Sequence, residues 1–220
     1  MKILFFGASS EIAVKLNRKL KYEIYGISKK KFKHGYAKLI TVKKYSKREI
    51  ELALKKFKIK FDHVFFFNGS YQPSLLKNFN KKDFNSILDI NFNLLINSSI
   101  IIIKNGHLKK NGSICFISSA AGSIAEIGNA YYSLTKNLLN FSVKIFSKEF
   151  KKKYRFNCIS LGFVNTKFSK KILNYYSTNQ KKIILSKQNS LFIPISLLIN
   201  KIKYICEKAN FNGKIIKIHK

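Results

Sequence analysis

Short apolar runs alternate with longer stretches in which apolar residues recur every three or four positions, and the alternation continues along the whole chain. Runs of the first kind predict strands at 2–6, 22–27, 37–42, 63–68, 113–118, 156–160 and 214–218. Stretches of the second kind predict helices at 11–20, 47–57, 81–104, 130–153 and 195–208. A strand covered by helices on both faces reads as a continuous apolar run. The pattern therefore predicts an α/β fold, a doubly wound parallel sheet of about seven strands. Parallel neighbours are joined by crossovers of a dozen residues or more, and the connection from Ile27 to Ala37 is too short for a full helix. The crossover helix after the second strand is expected to be missing. The polar stretch 167–194, with Tyr175 and Tyr176, fits neither pattern and reads as a surface flap.

With 220 residues, 46% of them hydrophobic, the chain suits one core, and a single domain over 1–220 is expected. The start, MKILFFGASS, breaks at Gly7 and lacks the shape of a signal peptide. The apolar runs at 64–67 and 100–103 fall far below the ~20 residues needed to cross a bilayer, so no membrane span is expected. Cys115, Cys158 and Cys206 have no CxxC spacing and cannot all pair, which argues against a disulfide framework or a zinc site and suits a reducing cytoplasm. His34, His63, His107 and His219 show no ligand spacing and read as surface or strand-end residues. Asp62 beside His63 makes no hydrolase triad without a GxSxG elbow.

The net charge of +33 raises nucleic acid as a partner. Among the 43 basic residues only Arg18, Arg48 and Arg155 carry the guanidinium fork that grips phosphate in two places. The lysines are spread evenly, and Ile, Asn and Phe are inflated with them, as an AT-rich coding sequence would produce. The charge reads as solvated surface, and a nucleic-acid-binding basic domain is kept only as an alternative.

The first predicted strand runs through Gly7-Ala8-Ser9-Ser10-Glu11-Ile12-Ala13 into a helix, the place where a dinucleotide pyrophosphate meets a helix N-terminus in Rossmann-type folds. Gly7 permits the tight turn, Ser9 and Ser10 offer hydroxyls and N–H groups, and Ser10 is a good N-cap. The second strand ends Ile27-Ser28-Lys29-Lys30. With no carboxylate there for a ribose 2′-hydroxyl, NADP(H) is favoured over NAD(H).

These residues resemble the short-chain dehydrogenase/reductase family, whose first turn usually reads Thr-Gly-Ala-Ser-Ser-Gly-Ile-Gly. Phe6, Glu11 and Ala13 depart from it. Ala13 keeps a small residue, whereas Glu11 sets a carboxylate beside the pyrophosphate. The resemblance implies that Gly7, Ser9, Ser10, Ile12, Ser28 and Lys29 hold the cofactor and that Asn68, in Phe67-Asn68-Gly69-Ser70, steadies the sheet beneath its adenosine. It extends to Asn157-Cys158-Ile159-Ser160-Leu161-Gly162-Phe163-Val164-Asn165-Thr166, where Val164 and Thr166 would meet the carboxamide.

The family's Tyr-x-x-x-Lys spacing occurs at Tyr25/Lys29, Tyr132/Lys136 and Tyr204/Lys208. Only Tyr132 opens a long helix and follows a serine pair at a strand end. The resemblance therefore makes Ser119, Tyr132, Lys136 and Asn91 the catalytic residues; Tyr131 has Thr135 one turn on and is set aside. Hydride transfer to a carbonyl builds alkoxide charge that needs a proton as it forms. Tyr132 would supply it, Lys136 would lower the phenol's pKa and hold the ribose of the nicotinamide, and Ser119 would bind the substrate oxygen. Asn91, by resemblance, holds a water in the proton relay. The expected protein reduces a carbonyl, or oxidises the alcohol, of a small molecule, with 167–194 as the substrate-side flap. The family commonly forms homodimers or homotetramers through its long helices. A catalytically weak binding or regulatory module, to which Glu11 and Ala13 point, remains the other reading.

Overall fold

The computed structural model describes residues 1–32, 35–188, 192–208 and 210–218, without the side chains of 187 and 188. Seven strands form, β1 (Lys2–Phe6), β2 (Glu23–Ser28), β3 (Lys38–Thr41), β4 (Phe61–Phe66), β5 (Leu108–Ser119), β6 (Arg155–Leu161) and β7 (Ile215–Ile218). They make one sheet in the order β3-β2-β1-β4-β5-β6-β7, and all six pairings are parallel. The helices are α1 (Glu11–Lys19), α2 (Lys47–Phe57), α3 (Lys81–Leu88), α4 (Leu94–Lys104), α5 (Ala130–Glu149), α6 (Lys167–Leu173), α7 (Thr178–Gln188) and α8 (Ile195–Glu207).

Alternation along β1 separates two cores. Leu4 and Phe6 face α2, α4 and α5 with Ile50, Leu95 and Leu139, whereas Ile3 and Phe5 face α1 and α8 with Leu16 and Leu198. Successive strand side chains point to opposite faces, so an unbroken apolar run supplies both. The chain leaves β1 toward β2 on one side and returns through β4 on the other. Such a reversal opens a crevice beyond the carboxyl ends of the two central strands, the usual place for a ligand in an open α/β sheet.

No helix occurs between β2 and β3 among the described residues. Tyr36 covers the sheet there instead, its ring 6.2 Å edge-on from Phe5 and its hydroxyl donating to Ala8 O at 2.8 Å. The helical stretch expected at 81–104 is one run, but a π-turn at Asp89–Asn93 separates α3 from α4. By length and composition this run is apolar enough to cross a membrane. Its apolarity has a use inside the fold, where Leu95, Ile101 and Ile102 belong to the core beside α2 and α5. Helix α5 stops at Glu149 rather than 153, and the stretch 167–194 carries α6 and α7.

His63 corrects the reading of it as a surface or strand-end residue. It lies inside β4, is buried, and its Nδ1 shares a hydrogen bond with Ser113 Oγ at 2.7 Å. His107 is half-buried just before β5. His34 and His219 lie outside the described residues, as do 189–191 of the flap and the chain's last two positions.

Candidate active site

Gly7 turns the end of β1 into α1 at φ 69°. A Cβ there would stand 2.9 Å from Asn68 N and 3.0 Å from Phe67 C, so only glycine lets the ends of β1 and β4 approach this closely. Ser10 N–H donates to Gly7 O at 2.9 Å, and Ser10 Oγ caps α1 by accepting from Ala13 N at 3.2 Å. Ala13 is fully buried against the sheet, which explains its size. The first turn of a helix leaves N–H groups without intrahelical partners, and here that turn, with Ser10, Glu11 and Ile12, borders a cavity.

Asn68 Oδ1 is buried without a hydrogen-bond partner, an acceptor waiting for a donor such as a ribose hydroxyl. A turn kept open by glycine, a helix N-terminus and this orphaned acceptor together fit the adenosine and pyrophosphate of a dinucleotide. Glu11 leaves the seat itself open: it borders the cavity, and its carboxylate accepts the backbone N–H of Lys167 at 2.5 Å. The remaining candidates at this end are spread out. Ser9 sits half-buried in the turn and Lys29 is exposed at the end of β2. Ser28 is buried, and its hydroxyl is used locally, donating to Lys30 O at 2.9 Å and accepting from Lys30 N at 3.0 Å. Neither Ser28 nor Lys29 borders the cavity. Tyr45, which the sequence did not single out, has its phenol near Gly7, Lys29 and Asn68, which oppose the upward push of burial on its pKa.

The cavity measures about 450 Å³ and is bordered by Ser119, Tyr132 and Lys136 on one side and by Val164, Thr166 and Phe168 on the other. Ser119 ends β5 and Tyr132 lies in the first turn of α5; both border the cavity, and the serine side chain is near enough to the phenol to act on its pKa. Ser118 points the other way, toward Lys136 O at 3.5 Å, which separates the two serines. Lys136 Nζ donates to Ile117 O at 3.0 Å and stands 5.6 Å from the centre of the Tyr132 ring. Asn91 lies in the π-turn, fully buried. Its Oδ1 accepts from Ser70 N at 2.7 Å, and its Nδ2 donates to Ser70 O at 2.9 Å and Thr135 Oγ1 at 3.1 Å. A Cβ on Gly69 would meet both Asn91 Oδ1 (3.8 Å) and Lys136 Nζ (3.9 Å), so the two converge behind the phenol. One extra residue per turn at a π-bulge re-aims a side chain, a recurring device at functional sites.

Burial dominates the proton affinities. It pushes the Tyr132 phenol up to about 12, with Ser119 opposing, and pulls the Lys136 ammonium down to about 8. Lys136 was expected to lower the phenol's pKa, but burial instead raises it: both groups sit where charge is poorly solvated, which disfavours the ionised phenol and the ionised lysine alike.

Tyr131 is sequestered. Its hydroxyl accepts from Asn80 N at 2.5 Å and donates to Asn78 O at 3.4 Å, and Phe79 and Phe84 pack around its ring. Tyr25 belongs to the core and its hydroxyl is hydrogen-bonded to Glu23, while Tyr204 lies exposed on α8. Two further features were missed. Gly122 has no room for a side chain, since a Cβ would stand 2.9 Å from Lys136 C, and this close approach seats the loop after Ser119 on α5. At the substrate side, Tyr71 donates to Asn129 Oδ1 (2.8 Å), Asn129 Nδ2 donates to Tyr176 Oη (2.7 Å) and Glu126 Oε2 (3.0 Å), and Tyr176 donates to Glu126 Oε2 (2.5 Å). Tyr71 packs edge-on against Tyr132, 5.4 Å between centroids. Thr166 caps α6, accepting from Ser169 N at 3.1 Å, and Val164 is buried in a bridge to Ile193. The described residues contain no cluster of metal-ligating groups.

The family pattern described as enoyl-(acyl carrier protein) reductase matches residues 40–189. A 3-oxoacyl-(acyl carrier protein) reductase FabG of Chlamydia muridarum is 32% identical over 104 residues, 46% of this chain and 42% of that protein. Tropinone reductase-like 3 of Erythroxylum coca is 30% identical over 110 residues, 49% of this chain and 41% of that protein. The aligned stretches thus span less than half of either relative. In overall shape the chain superposes on a short-chain dehydrogenase family protein from Francisella tularensis with a TM-score of 0.82 at 20% identity, covering 99% of this chain and 96% of that one. The Tyr-x-x-x-Lys helix, the serine-bearing strand and the glycine turn thus stand in a matching frame: the chain belongs to the short-chain dehydrogenase/reductase family of oxidoreductases.

Proposed function

We propose that this protein interconverts a carbonyl and an alcohol of a small molecule with NADP(H), using Ser119, Tyr132, Lys136 and Asn91 as catalytic residues. The observation that carries the reading is that Ser119, the Tyr132 phenol and Lys136 share the wall of one apolar cavity, with Lys136 one helical turn behind the phenol. The nicotinamide, when bound, supplies or accepts the hydride. Ser119 holds the substrate oxygen and stabilises the charge that develops there. Tyr132 delivers its proton to that oxygen, or removes one in the reverse direction. Lys136 keeps a positive charge next to the phenol and binds the ribose, and Asn91 holds a water that links the lysine to solvent as a proton relay.

Gly7, Ser9, Ser10 and Ile12 hold the pyrophosphate side, Asn68 the adenosine side, and Val164 and Thr166 the carboxamide side. Ser28 and Lys29 read the 2′-position. A gluconate 5-dehydrogenase from Burkholderia cenocepacia, solved in complex with NADP and tartrate, shares this fold with a TM-score of 0.84 at 15% identity, covering 99% of this chain and 93% of that one. The chain forms one domain over 1–220, with 167–194 as the substrate-side flap. It works as a homodimer or homotetramer, and its three free cysteines suit a reducing cytoplasm.

Fluorescence titration with NADPH and NADH at moderate salt tests the reading. NADPH binds more tightly, and Lys29→Glu narrows or reverses the preference by replacing a cation with a carboxylate at the 2′-phosphate. Equal affinities in the parent protein overturn Ser28 and Lys29 as the readers. Glu11 favours a second reading, a member with weakened cofactor binding, and no nicotinamide affinity at all would decide for it.

A further inference from the structure

We propose that Glu11 is a positioning residue that pins the start of the flap to α1 across the mouth of the cofactor cleft. The segment 163–168 leaves β6, forms one wall of the cavity through Val164, Thr166 and Phe168, and enters α6. One side of it is tied down by backbone, Ile193 N–H donating to Phe163 O at 2.6 Å. The other side is tied to α1 by two side chains of opposite charge. Glu11 Oε2 accepts Lys167 N–H at 2.5 Å, and Lys15 Nζ donates to Asn165 O at 2.9 Å. Both partners lie one turn apart on the same face of α1, and both grip the backbone of residues two apart in the chain. Each bond has one ionised member, the stronger class of hydrogen bond. The contacts join positions 156 and 150 residues apart in sequence, so neither belongs to the local order of a helix end.

The family turn has glycine at position 11, which leaves nothing to reach the flap. Here a carboxylate bridges the cleft, and its charge stands beside the expected pyrophosphate. Pinning the flap and weakening the cofactor are then two effects of one side chain, and they depend on different properties of it. Pinning needs only an acceptor oxygen. Repulsion needs the negative charge. Glutamine keeps the first and removes the second, whereas alanine removes both. A carboxylate that served only the positive end of the α1 dipole would make Gln and Ala behave alike.

The experiment has two arms. In the first, without cofactor, trypsin cleavage after Lys167, Lys170 and Lys171 is timed by mass spectrometry. Glu11→Ala is expected to be cut several-fold faster than the parent and Glu11→Gln at the parent rate, with circular dichroism confirming that both are folded. Lys15→Met removes the second tie without touching the nucleotide turn and is also expected to speed cleavage, so the pinning is tested even if Glu11→Ala fails to fold. In the second arm, which rests on the proposed function, NADPH is titrated at low salt. Glu11→Gln and Glu11→Ala should both bind about three- to tenfold more tightly than the parent, with the gain shrinking as salt is added. Parent-like cleavage in both Glu11→Ala and Lys15→Met overturns the pinning, as does equal acceleration in Glu11→Gln and Glu11→Ala. Failure of every form to bind NADPH removes the proposed cofactor and leaves the cleavage arm standing by itself.

Discussion

Lys136 stands one helical turn beyond Tyr132 on α5, its Nζ 5.6 Å from the phenol ring, and burial moves the two groups in opposite directions. The phenol rises to about 12 while the ammonium falls to about 8. At neutral pH the phenol therefore holds its proton and the lysine its charge, the states needed to reduce a carbonyl. As pH rises, Lys136 discharges first, and with it goes the cation proposed to hold the ribose. NADPH affinity is expected to fall above pH ~8 rather than near the ordinary lysine value. Titrating the affinity across that range in the parent and in Lys136→Arg checks it. The arginine variant stays charged and should lose the limb, whereas an unchanged limb would assign it to another group.

Tyr132→Phe keeps the ring against Tyr71 and deletes the proton. The turnover rate should drop at least ~10²-fold while NADPH affinity changes little. Tyr131→Phe should leave turnover alone. It also removes the hydroxyl that ties Asn78 and Asn80 to α5, so a loss of about 1 kcal/mol in stability is expected. Steady-state rates and urea unfolding of both variants separate the roles, and a Tyr131→Phe enzyme that lost its activity would show that the wrong phenol has been assigned.

What the sequence disclosed follows from which signals are local. The strands were legible because burial on both faces makes them continuous apolar runs, and the lack of a helix among the described residues between β2 and β3 because chain length limits it. Tyr132 was separable from Tyr25 and Tyr204 through the serine strand that precedes it, and from Tyr131 because Lys136 lies one turn beyond Tyr132 whereas Thr135 lies one turn beyond Tyr131. The π-turn that aims Asn91 was not legible, since one extra residue in a turn barely disturbs an apolar pattern already dense with Ile and Leu. Helix α7 escaped because Ile183, Ile184 and Leu185 are consecutive and mark no face. The chain of bonds from Tyr71 through Asn129 to Glu126 and Tyr176 joins residues up to 105 positions apart, Tyr71 to Tyr176, and no local pattern encodes it. The raised pKa of the Tyr132 phenol was not foreseen for a related reason, because spacing reveals a neighbouring lysine and not the desolvation around the pair.

His63 makes stability sensitive to acid. Burial is the main cause that lowers its pKa to about 4 from an ordinary 6.5, so the folded protein keeps the ring neutral where the unfolded chain protonates it. Between these values the unfolded state binds more protons. Stability is then full above pH 6.5 and is lost as pH falls toward 4, by up to roughly 3 kcal/mol. His63→Gln can still meet Ser113 but does not titrate. Its unfolding free energy should be flatter than the parent's between pH 6.5 and 4.5, and parallel curves would place the acid sensitivity elsewhere.

On the outer face of α5, Leu134, Leu138, Phe141 and Ile145 are 44%, 43%, 60% and 42% exposed. Their spacing of four, three and four residues sets them in one stripe along the helix. Contiguous exposed apolar side chains of this kind mark association surfaces, and a stripe on a single helix suits a two-fold contact in which α5 of one protomer meets α5 of another. Phe141 is the most exposed of the four, so a charge there should be tolerated by the monomer and costly in the contact. Phe141→Glu is expected to keep the circular dichroism of the parent while its mass by light scattering falls by half or more. A parent protein that is monomeric at micromolar concentration, or a Phe141→Glu variant that retains the parent mass, would rule out α5 as the interface.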